Sequence, residues 1–200
     1  MVDKYTVMPD FYYAARAVIG PQQLGDEQVL KELGLLFGYP VQLWELMAGS
    51  AKLSSFARER QISHLPPIDY RWGVHMGRSS DQLLLLYILL AYGCQTLFAS
   101  PTCTPWGNNA RGWDEAKLKR ERDGEGLALQ FLAVLCFLQI VMGRSYMIEN
   151  PKGSDIYEKS ALRHLQHECL PHVRTTFDQC SYGATMDGGF VLKSTDIESG

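Results

Sequence analysis

The chain is short of the features that mark whole classes of protein. It has no uninterrupted apolar run of the ~20 residues that a membrane-spanning helix needs. Its longest, LALQFLAVLCFLQIVM at 127–142, is broken by Gln130 and Gln139 and reads as a buried helix. It has no excess of one charge: 19 basic against 22 acidic residues give −3. That argues against a strong non-specific nucleic-acid binder and leaves a local basic patch open. It has no cysteine framework. Cys94, Cys103, Cys136, Cys169 and Cys180 are odd in number and irregular in spacing. The opening MVDKYTVMPD lacks an apolar h-region. These two observations predict reduced thiols, an intracellular chain (nuclear or cytoplasmic) and no membrane partner. Repeats and low-complexity tracts are missing too. What remains is 200 residues, enough for one well-buried core.

Apolar spacing divides that length into elements. Residues 1–40 read as an N-terminal extension and helix: an aromatic cluster at 11–13, a GPQQLG loop, then DEQVLKELGLLF at 26–37. There Val29, Leu30, Leu33 and Leu36 share one helical face. GYP ends that helix. VQLWELM (41–47) predicts a buried strand, AKLSSFARER a helix, HLPPID (64–69) a short second strand. SSDQLLLLYILLAYG predicts a capped helix and CQTLFAS (94–100) a strand. Residues 107–125 are polar and read as exposed. The helix at 126–142 follows, then a strand at 144–149 that NPKGS breaks. A helix at about 155–168 and short β pieces around Gly188-Gly189 complete the chain. Strands alternating with helices predict an α/β sandwich with a mainly parallel sheet. Ligands then bind beyond the carboxyl ends of the strands.

The loops at that edge hold the residues chemistry would use. Ala48, Gly49 and Ser50 are small residues at a strand-to-helix turn, where a polar or anionic group can approach the backbone. Taken alone the turn is equally a plain connection. Asp69, about 20 residues on, reads as a ribose acceptor or as a solvated turn aspartate. ASPTCTPWG (99–107) holds Cys103 between Pro101 and Pro105, with Trp106 beside it. A thiol stiffened on both sides at a ligand edge reads as a nucleophile. Glu149 and Asn150 end the next strand, and a carboxyl group there suits proton transfer or a hydrogen bond to a base edge.

Three of these stretches together resemble the cytosine-C5 DNA methyltransferases. ELMAGSAKLS is similar to that family's first S-adenosylmethionine motif, SPTC to its P-P-C nucleophile motif, and MIENPKGS to its E-N-V motif in the E-N-P form of divergent members. DQCSYGATMDGG with Lys193 and Thr195 is similar to the tail of those members. Met47, Ala51 and Thr102 stand where the family pattern has phenylalanine, glycine and a second proline. No Q-x-R-x-R motif is present.

The resemblance implies a Rossmann-like methyltransferase sandwich over residues 41–200, without a separate target-recognition domain. It implies S-adenosylmethionine as cofactor, bound by Glu45, Met47, Ala48, Gly49, Ser50, Asp69, Asp81 and Pro101. It implies that Cys103 attacks C6 of a flipped cytosine while Glu149 bonds N3. Thr104, Trp106, Asn150 and Lys193 would contact the substrate. DNA is the implied partner, with a protein partner supplying target recognition. The competing reading is a methyltransferase-like domain retained only for binding nucleic acid or protein.

Three other readings compete. The exocyclic-amino methyltransferases carry an aromatic where SPTC has its cysteine. RHLQHECLPHV groups His164, His167, Cys169 and His172, types that zinc accepts, but without a paired C-x-x-C; no metal is expected. A cysteine hydrolase needs a histidine near Cys103, and the sequence nominates none. The segment 111–125, with Arg120 and Arg122, reads as a solvated helix or as a lid over nucleic acid.

Overall fold

The computed structural model describes residues 41–168, 172–178, 185–186, 189–190 and 193–200. The expected N-terminal extension and its 26–37 helix lie outside the described residues. A five-stranded sheet organises the rest. β1 (Val41–Leu46), β2 (Cys94–Ala99) and β3 (Ser145–Pro151) run parallel, while β7 (Ser194–Ser199) is antiparallel to both β3 and β4 (Val173–Asp178). The spatial order is β1-β2-β3-β7-β4. β5 (Thr185–Met186) and β6 (Gly189–Phe190) form a separate two-stranded ribbon. The sheet is therefore mixed rather than mainly parallel. The last strand enters between β3 and β4 from the opposite direction, which no periodicity in the sequence encodes.

The expected second strand at 64–69 is reduced to two isolated parallel bridges, Leu43 to His64 and Leu46 to Ile68. Pro66 and Pro67 supply no N–H for a ladder. Trp44 Nε1 donates to the Pro66 carbonyl at 3.1 Å and holds the segment against β1 all the same. β1 thus has the 64–68 segment on one side and β2 on the other. The chain reverses its direction of travel across the sheet there, the position where α/β sheets open a crevice at their carboxyl edge.

Helices cover one face. α2 (Ser79–Ala91) and α3 (Glu115–Val141) pack there, with the short α4 (Ile156–Lys159) and α5 (Arg163–Glu168) beside them. α1 (Lys52–Glu59) lies against β1. The stripe Ala128, Leu129, Phe131, Leu132, Leu135, Cys136 and Gln139 of α3 is buried, at the spacing of one helical face. It meets Trp44, Leu97, Tyr146 and Ile148 in one core. Gln139, in the middle of that apolar stripe, donates to the carbonyls of Cys94 (3.2 Å) and Ser145 (3.0 Å). It pins the starts of β2 and β3 together. By length and composition α3 is also apolar enough to cross a membrane.

Three further expectations change. α3 begins at Glu115 rather than 126, capped by Asp114, whose carboxylate accepts from the Lys117 N–H at 2.8 Å. The charged segment read as a solvated helix is thus one continuous helix with the apolar 126–142 stretch. β3 runs through Asn150 and Pro151, because Pro151 pairs with Thr195 of the antiparallel β7. The expected helix at 155–168 is two helices. Ser160 turns the chain: its hydroxyl donates to the Ile156 carbonyl and accepts from the Leu162 N–H.

Candidate active site

One row of paired residues crosses the sheet: Ile68, Leu46, Ala99, Ile148, Glu198, Arg174. The residues that follow the first four are Asp69, Met47, Ser100 and Glu149. Four loops therefore leave the carboxyl edge at the same level. The register itself brings the Gly49 turn, Asp69, the Cys103 loop and Glu149 to one border of the sheet.

The first loop is wound unusually tightly. Met47 (φ 51°), Gly49 (φ 56°) and Ala51 (φ 52°) all lie in the left-handed region, which costs a residue with a Cβ about 1–2 kcal/mol. Hydrogen bonds hold the shape. The Ala48 N–H donates to the Ile68 carbonyl (3.0 Å), the Gly49 N–H to Asp69 Oδ2 (2.8 Å) and the Ala51 N–H to the Ala48 carbonyl (2.8 Å). Open space lies around Gly49, where an added Cβ would meet nothing within 4 Å. Ser50 is exposed. Ala51 occupies the position at which the family pattern has glycine, and its positive φ supplies the physical reason for that glycine. Ala51→Gly is expected to stabilise the fold by about 1 kcal/mol, since it removes the strain and improves the N-cap of α1. A melting temperature higher by about 2–4 °C would record it.

Glu45 and Asp69 are buried acids that organise this loop. Glu45 Oε2 accepts from the Ser54 N–H (2.7 Å) and from the Ser54 hydroxyl (2.5 Å). Its carboxylate caps the first turn of α1, where N–H groups and the helix dipole favour negative charge. Its expected place at a cofactor's amino-acid end is at the same loop, and in this structure its partner is Ser54. Asp69 is 5% exposed and accepts from Gly49 at one oxygen and from the Arg71 N–H (3.0 Å) at the other. It ties the Gly49 turn to the 3-10 turn Tyr70–Trp72, whose two aromatic side chains are exposed. Asp81, also expected at the cofactor, accepts from the His75 N–H at 2.7 Å and closes the turn before α2.

The Cys103 loop is anchored at both ends. Asn150 is fully buried, and its Nδ2 donates to the Pro101 carbonyl at 3.0 Å. Asn150, expected at the substrate, clamps the Cys103 loop to the end of β3. The Cys103 carbonyl accepts from the Trp106 (3.1 Å) and Gly107 (2.8 Å) N–H groups, closing a turn around Pro105. Cys103 is half-buried, whereas Cys94 and Cys136 are buried. Burial pushes the Cys94 thiol up to about 12, which leaves it inert at neutral pH. Among the described cysteines, Cys103 is the one a reagent can reach. Thr104 is exposed beside it.

Trp106, expected as a substrate wall, is 5% exposed and packs into the core. The Arg122 guanidinium stacks 4.8 Å above its ring. The same guanidinium donates to the Pro105 carbonyl (2.9 Å) and to Asp155 (2.8 Å). Arg122 thereby braces the Cys103 loop against α3 and the start of α4. A groove of about 800 Å³ lies behind this brace, between α3 and α4–α5.

Hydrogen bonding from Lys159, and then from Arg122, holds the Asp155 carboxyl below its ordinary value of 3.8. A depressed carboxylate contributes stability that is complete above its unfolded pKa and lost as pH falls through the folded one. The brace is therefore expected to loosen in acid. Asp155→Asn should lower the melting temperature at pH 7 and flatten its fall below pH 3.8, read by circular dichroism.

Glu149 is mostly buried, with Lys193 Nζ 3.4 Å from its Oε1. The two residues meet because the chain enters β7 at the same edge, next to β3. No spacing in the sequence relates positions 149 and 193. The metal reading gains nothing: no group of three or more His, Cys, Asp or Glu residues suited to a metal occurs among the described residues. His172 lies 3.6 Å from Glu198, which also receives Arg174 and Gln166. The His167 side chain and Cys169 fall outside the described residues.

The fold defines an α/β chain with a carboxyl-edge site of small-residue turn, acid, thiol and acid. No protein-family model matches the chain, and no curated protein matches it. Among solved structures it is similar to a methyltransferase of Entamoeba histolytica, EhMeth, at 13% identity, covering 80% of this chain and 53% of that one, with a TM-score of 0.43. The chain thus spans about half the length of that protein.

Proposed function

We propose that the chain is an S-adenosylmethionine-dependent methyltransferase that acts on C5 of cytosine in DNA. The observation that carries this reading is the common level of the four loops, with the Gly49 turn and Asp69 flanking the chain reversal at β1 and Cys103 and Glu149 beside it. The residues present fit the cofactor: Gly49 borders open space, Ser50 is exposed, and Asp69 keeps lone pairs beyond its two N–H partners. Ala48, Gly49 and Ser50 would hold its amino-acid end and Asp69 its ribose. When bound, it supplies an electrophilic methyl group on sulfur.

The chain's own residues do the rest. The Cys103 thiolate forms a bond to C6 of a base turned out of its stack. Lys193, beside Glu149 before substrate arrives, holds that carboxylate at the edge until the base takes its place. Glu149 then takes up a proton from solvent and gives it to N3 as electron density moves to C5, which relieves the charge there. After methylation a water molecule takes the C5 proton, the freed electron pair re-forms the C5–C6 double bond, the Cys103 Sγ–C6 bond breaks to return the thiolate, and N3 gives its proton back to the Glu149 carboxylate. Target selection would come from a protein partner.

An oligonucleotide carrying 5-fluorocytosine tests the chemistry, because fluorine at C5 blocks the final elimination. With cofactor present, mass spectrometry should find the DNA joined to the Cys103 peptide. A protein that binds cofactor and DNA yet forms no adduct would favour the competing reading, a methyltransferase-like domain kept for binding.

A further inference from the structure

We propose that the groove between α3 and the α4–α5 wall seats one ridge of an amphipathic helix with acidic flanks, carried by the protein partner that selects the target. That partner's task rests on the methyltransferase reading; the seat rests on the groove itself. One face of α3 forms the floor: Leu118, Arg122, Gly126, Leu129, Ala133 and Phe137 recur every three or four residues. That row is ~28 Å long. Lys159, Ala161, Arg163 and Leu165 line the other wall. Spread along the row, the volume of about 800 Å³ leaves a cross-section of ~29 Å². A whole helix, ~10 Å across, does not fit into that; a row of its side chains does. Trp106 and Arg122, which brace the Cys103 loop, line the same groove, so an occupant touches that brace.

Polarity, stacking and charge select the occupant. From Gly126 to Phe137 the α3 lining is apolar apart from Gln130. An extended peptide would bring backbone N–H and C=O groups there with almost nothing to pair with, whereas a helix satisfies its own. A nucleic-acid strand needs open aromatic faces on which to stack. Trp106 is 5% exposed, and the Arg122 guanidinium covers its ring. Charge then sets the flanks. Lys119 is matched by Asp123, but Arg122 and Lys159 share the single carboxylate of Asp155. Glu115 is the remaining acid of the lining. Arg163 is exposed in the wall, beside His164, and has no ion pair among the described residues. This cationic wall, in a chain of net charge −3, suits Glu or Asp next to the apolar ridge. Gly126 is a poor residue for a helix interior, and it leaves the floor open: a Cβ there would meet nothing within 4 Å.

The test titrates the full chain into a fluorescent ~20-residue alanine-based peptide that carries Leu along one helical face and Glu beside it, read by anisotropy. Its Kd should be at least about tenfold below that of a peptide of the same composition with its Leu residues scattered around the helix. Gly126→Phe should fill the groove and weaken binding by about tenfold or more. Gly124→Phe is the control: a Cβ there also meets nothing within 4 Å, and Gly124 does not line the groove. Its Kd should match the wild type. Arg163→Glu should weaken the Glu peptide and strengthen a Lys counterpart. Cys94, buried, reports folding in each variant: it stays unlabelled by a thiol reagent unless the core opens. Should Gly126→Phe unfold the protein, the exposed Arg163→Glu decides. Equal affinity for the patterned and scattered peptides would overturn the proposal, as would binding that both substitutions leave unchanged. So would a wild-type dimer that Gly126→Phe dissociates, which puts a second copy in the groove, or a single-stranded oligonucleotide whose binding Gly126→Phe abolishes, which puts nucleic acid there. The peptide titration contains neither methyl donor nor DNA, so its failure is distinct from a failure to bind S-adenosylmethionine.

Discussion

Cys103→Ser is expected to lower methyl transfer by about 10³-fold or more while leaving cofactor affinity within about twofold. Serine keeps the loop. The clamp from Asn150 to the Pro101 carbonyl and the turn closed by the Cys103 carbonyl use no part of the sulfur. What is lost is a sulfur nucleophile, intrinsically far more reactive than a hydroxyl. A hydroxyl beside the same groups has no base of histidine type to activate it. A fall in cofactor affinity equal to the fall in rate would mean that Cys103 shapes the pocket rather than reacts in it. Melting temperature should stay within about 2 °C, since one half-buried atom changes.

Asp69→Ala is expected to abolish measurable cofactor binding and to cost stability as well. The substitution strips the acceptor from two N–H groups, those of Gly49 and Arg71. Each buried donor left without a partner costs about 1–3 kcal/mol. The Gly49 turn is also left with its left-handed residues and one fewer tie. A drop in melting temperature of about 4–10 °C is the expected reading. Asp69→Asn separates the two effects. It keeps one oxygen for a backbone N–H but removes the charge, so stability should recover more than affinity. Equal recovery of both would make Asp69 a loop-holding residue alone.

The sequence exposed the edge residues better than their roles. Small residues, an acid, a proline-flanked thiol and an acid each follow an apolar run, and apolar runs are what strands bury. Register then did what spacing along the chain cannot. It aligned Ile68, Leu46, Ala99 and Ile148, so residues 69, 47, 100 and 149 leave the sheet together. The roles of Glu45, Asn150 and Trp106 were hidden because each depends on a partner far away in sequence or on burial. Glu45 meets Ser54, Asn150 meets Pro101 and Trp106 meets Arg122. Composition near α3 showed a charged helix and an apolar one but not that they are a single helix, which runs unbroken from the Asp114 cap to Val141. The antiparallel entry of β7, which brings Lys193 to Glu149, has no local signature at all.

The central claim is that the carboxyl edge holds a methyl donor. The most direct measurement is a calorimetric titration of the full chain with S-adenosylmethionine and with its demethylated product, using Asp69→Ala and Cys103→Ser beside the wild type. Binding of both ligands at one site, kept by Cys103→Ser and lost by Asp69→Ala, is the predicted result. A folded wild-type protein that takes up neither ligand would contradict the account.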